Sequence, residues 1–191
     1  EEGDWLILDG FFQHDPMPAK REGTPKPLSL YRSVDLDRLQ TRPHRWRFNL
    51  VTGETKEESL SDRVMEFGMI NPQIAGKNYR YTYNMTGKPG WFLFDGLVKQ
   101  DVLTGTEERY FFGEGVFGSE TPFAPRTGAT AEDDGYLLTF TTDMNRDCSE
   151  CLIFDATRLA DGPIARVRLP ERISSGTHSC WTPAEALASR Q

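Results

Sequence analysis

The chain has 191 residues, of which 37% are hydrophobic and 12% aromatic, enough for a packed core and too many for a disordered protein. The formal net charge of −7 argues against nucleic-acid binding, because nucleic-acid binders cluster Lys and Arg on one surface. The basic segment RPHRWR at 42–47 is short and has a strand-like pattern, so we interpret it as a solvated face. The length predicts one domain, residues 1–191, or part of a larger one.

Targeting signals are not evident in the sequence. No apolar run approaches the roughly 20 residues that span a bilayer, and the first four residues have neither the basic stretch nor the apolar core of a secretory signal. The sequence does not begin with Met, which predicts a processed chain or a piece of a longer one. Three cysteines without a disulfide-type spacing favour a reducing, cytoplasmic setting.

Short β-rich segments follow one another along the chain, separated by clusters of Gly, Pro, Asn and Asp. Helical patterns are confined to two short stretches, 35–40 and 183–189. The chain is therefore predicted to be all-β. The clearest strands are expected at 5–8, 28–34, 45–50, 79–83, 92–98, 109–112, 136–141, 152–154 and 164–169.

A turn motif repeats along the sequence. NLVTGET at 49–55 is echoed by DVLTGTE at 101–107 and, more loosely, by the segment 155–162, so the first residues lie 52 and then 54 positions apart. Such hairpins also recur by coincidence, because their turn chemistry is common. A period of about 50 residues with about four strands is nevertheless typical of β-propeller blades. Roughly 3.6 such units fit this length, and closed propellers have about 4–8, so we predict an incomplete propeller.

The chain has three histidines, His14, His44 and His178. His14 lies in a turn-like context without further ligands nearby, and His44 is expected to be an exposed strand residue. His178 lies in SSGTHSCW at 174–181, where small residues allow the backbone to approach a crowded centre such as a metal on a propeller axis. One histidine does not make a metal site, so a structural role remains the alternative.

Cys148 and Cys151 form a CxxC pair, and Cys180 supplies a third thiol. Together with His178 they would make a chemically acceptable zinc site. A second CxxC is missing from the sequence, and the pair is expected in a loop between two strands rather than at the strand-to-helix junction of a redox motif. We therefore expect no metal or redox role for these thiols.

Two glutamates lie in contexts that predict a buried carboxylate. Glu66 is flanked by apolar residues in MEFGMIN, and Glu120 lies in GSETPF. A buried carboxylate is costly unless it is paired or hydrogen-bonded. One frequent partner is the free ring N–H of a metal-bound histidine, and capping of backbone amides is the structural alternative. The acidic run 132–134, in contrast, is interpreted as a solvated turn.

Six segments, taken in order, resemble motifs of the carotenoid cleavage oxygenase family. EFGMIN resembles the family's Glu-Phe-Pro-x-Ile-Asn/Asp, with Gly68 in place of Pro, and Lys99 and Asp101 match a Lys-x-Asp hairpin. GTHSCW resembles Gly-Phe-His-Gly-x-Trp, with Ser179 in place of the usual Gly. GSETPFAPR resembles Ser/Gly-Glu-Pro-x-Phe-Val-Pro-Arg, with Thr121 standing between Glu120 and Pro122. The six segments are 66–71, 76–81, 97–101, 118–126, 131–136 and 176–181.

The resemblance implies a seven-bladed β-propeller, of which this chain would form the C-terminal blades, with an axial Fe(II) held by four histidines. Carried over, His178 would be one iron ligand, and Glu66 and Glu120 would hydrogen-bond the rings of ligands. The other three histidines lie upstream in family members. The missing N-terminal half of the propeller is therefore an expected partner, and this fragment alone is expected to be inactive.

The implied reaction is cleavage of an alkene double bond with O2 into two carbonyl products. The resemblance leaves open whether the apolar substrate is a carotenoid, an apocarotenoid or a stilbene-like compound, and any peripheral membrane contact would come from the missing part. Two alternatives remain open. One is a non-catalytic propeller used for interactions, in which His178, Glu66 and Glu120 would not converge. The other is the family's isomerohydrolase branch, which keeps the iron without using O2.

Overall fold

The computed structural model describes residues 1–14, 40–87, 93–174 and 178–188. The strand predicted at 28–34 lies outside the described residues, as does nearly all of the helical stretch predicted at 35–40. The second helical prediction is confirmed by a short helix, α1 (Ala184–Ala188). In the described part of the chain, no helix is both long and apolar enough to cross a membrane.

Twelve described strands form antiparallel units. The first blade consists of β1 (Trp5–Gln13), β2 (Thr41–Asn49) and β3 (Thr55–Ser59), in that order. The second blade is a four-stranded meander of β4 (Met65–Met69), β5 (Tyr81–Gly87), β6 (Phe94–Asp101) and β7 (Glu107–Phe111). The predicted all-β architecture is thus confirmed in both blades.

The third blade begins with an interrupted strand. β8 (Val116–Gly118) and β9 (Phe123–Pro125) pair with opposite ends of β10 (Gly135–Asp143), and segment 119–122 between them lies outside the strands. β11 (Cys148–Asp155) and β12 (Pro163–Arg168) complete the blade. Gly118 also pairs with Phe94 of β6, which joins the second and third blades into one sheet.

The repeated turns occupy equivalent positions, as the repeat predicts, because each one joins the last two strands of its blade. Asn49 accepts hydrogen bonds from two backbone N–H groups ahead of it, at 3.0 and 2.8 Å, and Asp101 does the same at 3.0 and 3.3 Å. Gly53 and Gly105 follow with φ of 75° and 73°, a conformation that favours glycine. The third, looser copy contains a short 3-10 turn, Leu159–Asp161.

Because the two turns match, the contribution of the ion pair between Asp101 and Arg80 can be measured separately from that of the turn. The guanidinium of Arg80 lies 2.7 Å from Asp101, and this hydrogen bond, with the two backbone N–H donors, lowers the pKa of the carboxyl to about 2. The contribution to stability is therefore complete above the ordinary carboxyl pKa of about 3.9 and is lost as the pH falls toward 2.

Replacing Asp101 with Asn should keep the turn, because Asn49 makes the same turn in the first blade. We expect Asp101→Asn to lower the free energy of unfolding by on the order of 1 kcal/mol near neutral pH, because the Arg80 side chain is half exposed. The difference from the unmodified protein should shrink between pH 4 and pH 2 in denaturant titrations. A difference that stays constant over this range would contradict the assignment.

The second and third blades share one hydrophobic core. Its fully buried members come from β5, β6, β9, β10 and β11 and from the turn after β11, and include Met85, Leu97, Phe123, Leu137, Leu152, Phe154 and Leu159. Tyr83 stacks on Phe123 across the boundary between the two blades, with ring centroids 5.4 Å apart. The shared core fixes the relative position of these blades, which matters because each blade carries one of the two glutamates singled out by the sequence.

The acidic run 132–134 is not the solvated turn that the sequence suggested. The Glu132 carboxylate accepts the backbone N–H groups of Arg80 and Tyr81, both at 2.8 Å. Asp133 pairs with the buried ammonium of Lys99 at 2.7 Å. The run therefore links the loop before β10 to the second blade, and its partners lie too far away in sequence for a local pattern to reveal them.

The basic segment 42–47 also differs from expectation. Arg45 makes two hydrogen bonds of 2.7 Å to Asp9, and both side chains are nearly buried. His44, predicted to be exposed, has a side chain only 15% exposed, because its ring packs beside the rings of Phe12 and Trp46. Pairing of β2 with β1 provides these contacts, so this part of β2 is not a solvated face.

Candidate functional site

The first strand of the second blade, β4, is irregular at Glu66. Its register against β5 shifts between Glu66 and Met69, and Phe67 has a φ of 51°. A positive φ is strained for a bulky residue, at a typical cost of about 1–3 kcal/mol. The backbone N–H of Phe67 donates to the Glu66 carboxylate at 3.3 Å. Glu66 is partly buried rather than fully buried.

Close neighbours explain why a glycine, Gly68, lies within this bulge. A Cβ added to Gly68 would lie 2.7 Å from the ring of Phe11 and 2.9 Å from the side-chain oxygen of Asn84. Real Cβ atoms do not approach other atoms so closely, so the first blade packs directly on the backbone here. Gly68, which stands where the family motif has Pro, is thus in close contact with neighbouring side chains.

Glu120 lies in the segment between β8 and β9. Its neighbours Ser119 and Thr121 are buried, and hydroxyl groups of Thr121 and Thr139 both donate to the Ser119 carbonyl at 3.1 Å. Thr121, which stands between Glu120 and Pro122, is therefore accommodated inside the structure. With both neighbours held inward, the Glu120 side chain is only 15% exposed.

His178 lies beside Glu120. Its Nδ1 is 3.4 Å from Glu120 Oε2. The imidazole and the Phe67 ring meet edge to face, with centroids 5.6 Å apart. A carboxylate at Nδ1 favours the tautomer with hydrogen on that nitrogen, which leaves the Nε2 lone pair free for a metal. The imidazole is 80% exposed.

Ser179 holds the two residues together and was not singled out as a site residue from the sequence. Its backbone N–H donates to Glu120 Oε2 at 2.8 Å, and its hydroxyl donates to the Glu120 carbonyl at 2.6 Å. The only sequence signal was the Ser in a position where the resembling motif has Gly. The described contacts thus join His178, Glu120, Ser179 and Phe67 in one cluster.

The donor set fits part of a histidine-ligated metal centre. A neutral imidazole suits iron as well as zinc or copper, and here its free nitrogen is on the side of the ring opposite the carboxylate. Among the described residues, no group of three or more His, Cys, Asp or Glu could hold a metal ion. His178 is thus one possible ligand, and Glu66 has no described contact with it.

The alternative zinc site is not formed. Cys148 and Cys151 lie within β11 rather than in the predicted loop, and residues three apart on a strand point to opposite faces. Cys148 is buried, whereas Cys180 is exposed. Burial also raises the pKa of the Cys151 thiol, which disfavours the thiolate that a metal would need.

Two cavities lie elsewhere, between the first and second blades, with volumes of about 620 and 230 Å³. Both are lined by Asp9 and Tyr79, and neither is lined by Glu66, Glu120 or His178. The Tyr79 hydroxyl donates to Asp9, and burial together with this carboxylate raises the pKa of Tyr79. These cavities are therefore separate from the candidate metal ligand.

Comparison with known proteins assigns the chain to a family. The retinal pigment epithelial membrane protein family matches residues 2–183. The chain belongs to this family, which includes the carotenoid cleavage oxygenases. The chain is 33% identical over 166 residues to carotenoid 9,10(9',10')-cleavage dioxygenase 1 of Pisum sativum, a match that covers 80% of this chain and 31% of the relative.

A second curated member of the family is lignostilbene-alpha,beta-dioxygenase isozyme III of Sphingomonas paucimobilis. It is 29% identical over 167 residues, which cover 79% of this chain and 34% of the relative. The chain thus spans about a third of the length of these curated family members.

The family resemblance extends to solved structures. Cobalt-substituted Synechocystis apocarotenoid oxygenase superposes with a TM-score of 0.79 and 26% identity, over 92% of this chain and 36% of that one. Apocarotenoid oxygenase and its lignostilbene dioxygenase relatives are β-propeller enzymes, so the predicted fold class is confirmed. The roles of the individual residues are a separate question.

Proposed function

We propose that this chain is the C-terminal part of a non-haem Fe(II) dioxygenase that cleaves an alkene double bond with O2 into two carbonyl products. The observation that carries the proposal is the placement of His178 beside the Glu120 carboxylate in a member of a family of named dioxygenases. The activity belongs to the full-length protein, because the described residues bring no group of three or more possible metal ligands together and the chain spans about a third of its relatives.

His178 would bind the iron through Nε2. Glu120 would hold the proton on Nδ1 and raise the basicity of the ring, the usual contribution of a carboxylate behind a metal-bound histidine. Glu66, on the first strand of the second blade, would serve in the same way for a histidine from outside this chain. When bound, Fe(II) would supply the open coordination and the reducing electrons on which O2 chemistry depends.

The surroundings of His178 suit an apolar substrate. Phe67 contacts the imidazole and packs on Phe94, with ring centroids 5.2 Å apart, so an aromatic pair lies next to the candidate ligand. The relatives are named for carotenoid, apocarotenoid and lignostilbene substrates. We therefore propose a conjugated, largely apolar alkene, either a carotenoid or apocarotenoid or a stilbene-like compound.

The non-catalytic alternative is disfavoured by one distance. It expects the singled-out residues to be unrelated, whereas His178 and Glu120 approach to 3.4 Å although they are far apart in sequence. The isomerohydrolase alternative would use the same iron ligands and differs in the fate of O2. The source of oxygen in the products therefore discriminates between the two reactions.

The test uses the full-length protein stripped of metal with a chelator. Activity on a carotenoid, an apocarotenoid and a hydroxystilbene should be absent, return with Fe(II) and stay absent with Zn(II), which has no redox chemistry. Under ¹⁸O2, mass spectrometry should detect label in the carbonyl products. Full activity without metal would contradict the iron assignment, and substrate isomerisation without O2 consumption would favour the isomerohydrolase branch.

A further inference from the structure

We propose that Ser179 is a positioning residue that holds the Glu120 carboxylate in place behind the imidazole of His178. The inference rests on the proposed function, because it concerns how the candidate metal ligand is oriented. Ser179 does not itself face the metal-binding nitrogen; it acts through Glu120.

The contacts grip Glu120 at both ends. The backbone N–H of Ser179 donates to Oε2, the same oxygen that faces His178, and the hydroxyl donates to the Glu120 carbonyl. The N–H contact would be available to any residue except proline. The hydroxyl contact requires the side chain, so a glycine at this position could make only one of the two.

This grip matters because neither partner lies in a regular element. Glu120 is in the segment between β8 and β9, and His178 lies outside the described strands and helices, so no sheet ladder sets their separation. The Ser179 contacts, at 2.8 and 2.6 Å, are shorter than the 3.4 Å between His178 and Glu120. An N–H···O bond usually measures about 2.7–3.2 Å, so Ser179 makes the firmer contacts with Glu120.

The chain that follows β12, here called the terminal segment (169–188), is also anchored before His178. The backbone N–H of Ile173 donates to the hydroxyl of Ser149 at 3.1 Å, and its carbonyl accepts from Thr142 at 3.3 Å. Both partners lie on the third blade, which also carries Glu120. Anchors at Ile173 and Ser179 therefore fix the segment on either side of His178 to a single blade.

The experiment measures metal affinity rather than turnover. Co(II) is titrated into metal-free full-length protein. Binding is measured by the visible absorption of Co(II) and by competition with a chelator. We expect Ser179→Ala to weaken Co(II) binding by about 10-fold, the low end of the 10–100-fold range for groups that orient a metal ligand. Ser179→Thr retains a hydroxyl and should bind Co(II) like the unmodified protein.

Ser174→Ala is the matched control, because Ser174 is an exposed serine of the same terminal segment. Its Co(II) affinity should be unchanged, and the metal-free melting temperatures of the Ser179→Ala and Ser174→Ala proteins should agree within a few degrees. A Ser179→Ala protein that binds Co(II) as tightly as the control would overturn the inference, as would a Ser179→Thr protein as weak as Ser179→Ala. Absence of binding by the unmodified protein would instead remove the proposed function.

Discussion

In the full-length protein, His178→Ala is expected to lose both bound iron and alkene cleavage. The substitution removes the imidazole that lies beside the Glu120 carboxylate, and loss of a ligand also changes the open coordination at the metal. Residual turnover should fall below about 1% of the unmodified protein, since removal of an outer group alone typically costs 10–100-fold. Metal analysis of the purified protein and a product assay measure the two effects.

Two further variants make the result specific. Glu120→Gln keeps a hydrogen-bond acceptor without the charge, so we expect weaker iron retention or turnover, by about 10–100-fold, with the fold intact. His14→Ala removes an exposed histidine near the end of β1 and should leave both iron and turnover unchanged. Normal iron content together with normal cleavage in the His178→Ala protein would remove the case for this site.

The strands that the sequence predicted best combine alternating apolar residues with a strong turn. β10 is an example, because buried and more exposed residues alternate along most of its length and an Asp turn ends it. β3 was missed because all five of its residues, Thr55–Ser59, are polar and exposed. β8 and β9 were missed because each has only three residues, too few to show a period of two.

Polar residues were harder to interpret than strands because their partners lie far away in sequence, on other strands or blades. Asp133 looked solvated within its acidic run, yet its partner Lys99 lies 34 positions away, and the partner of Arg45 lies 36 positions away across the β1–β2 pair. A local pattern has no access to such pairings. The same limit applied to His44, whose burial depends on Phe12 of the neighbouring strand.

The candidate site was predictable only in part, and mainly through the resemblance. Composition alone left His178 and Glu120 as separate residues with structural alternatives, and only the resemblance gave both of them a role at one iron site. Ser179 was noted only as a departure, because its role depends on backbone atoms of Glu120 that no side-chain motif encodes. Phe67 was part of a motif, but its positive φ and its contact with His178 depend on the β-bulge in β4.

Breaking the ion pair between Lys99 of the second blade and Asp133 of the third should have the largest effect on stability. Lys99 Nζ lies 2.7 Å from Asp133 and 4.4 Å from the centre of the Tyr81 ring, and the Lys99 and Asp133 side chains are 6% and 19% exposed. Such a pair gains little over a well-packed apolar replacement, but removing one partner leaves a poorly solvated charge. Replacing one member of the pair should therefore lower the free energy of unfolding, and replacing the second member as well should add less than its own separate cost.

Lys99→Met keeps the length of the side chain and leaves Asp133 without its cation, so we expect the free energy of unfolding to fall by about 3 kcal/mol. Lys56→Met, which breaks an exposed pair with Glu54, should cost less than about 1 kcal/mol. Adding Asp133→Asn to Lys99→Met should cost less than the sum of the two single changes, because the unpaired carboxylate is then gone. Denaturant unfolding of the full-length variants measures all three. A Lys99→Met protein as stable as Lys56→Met would show that this contact does not hold the blades together.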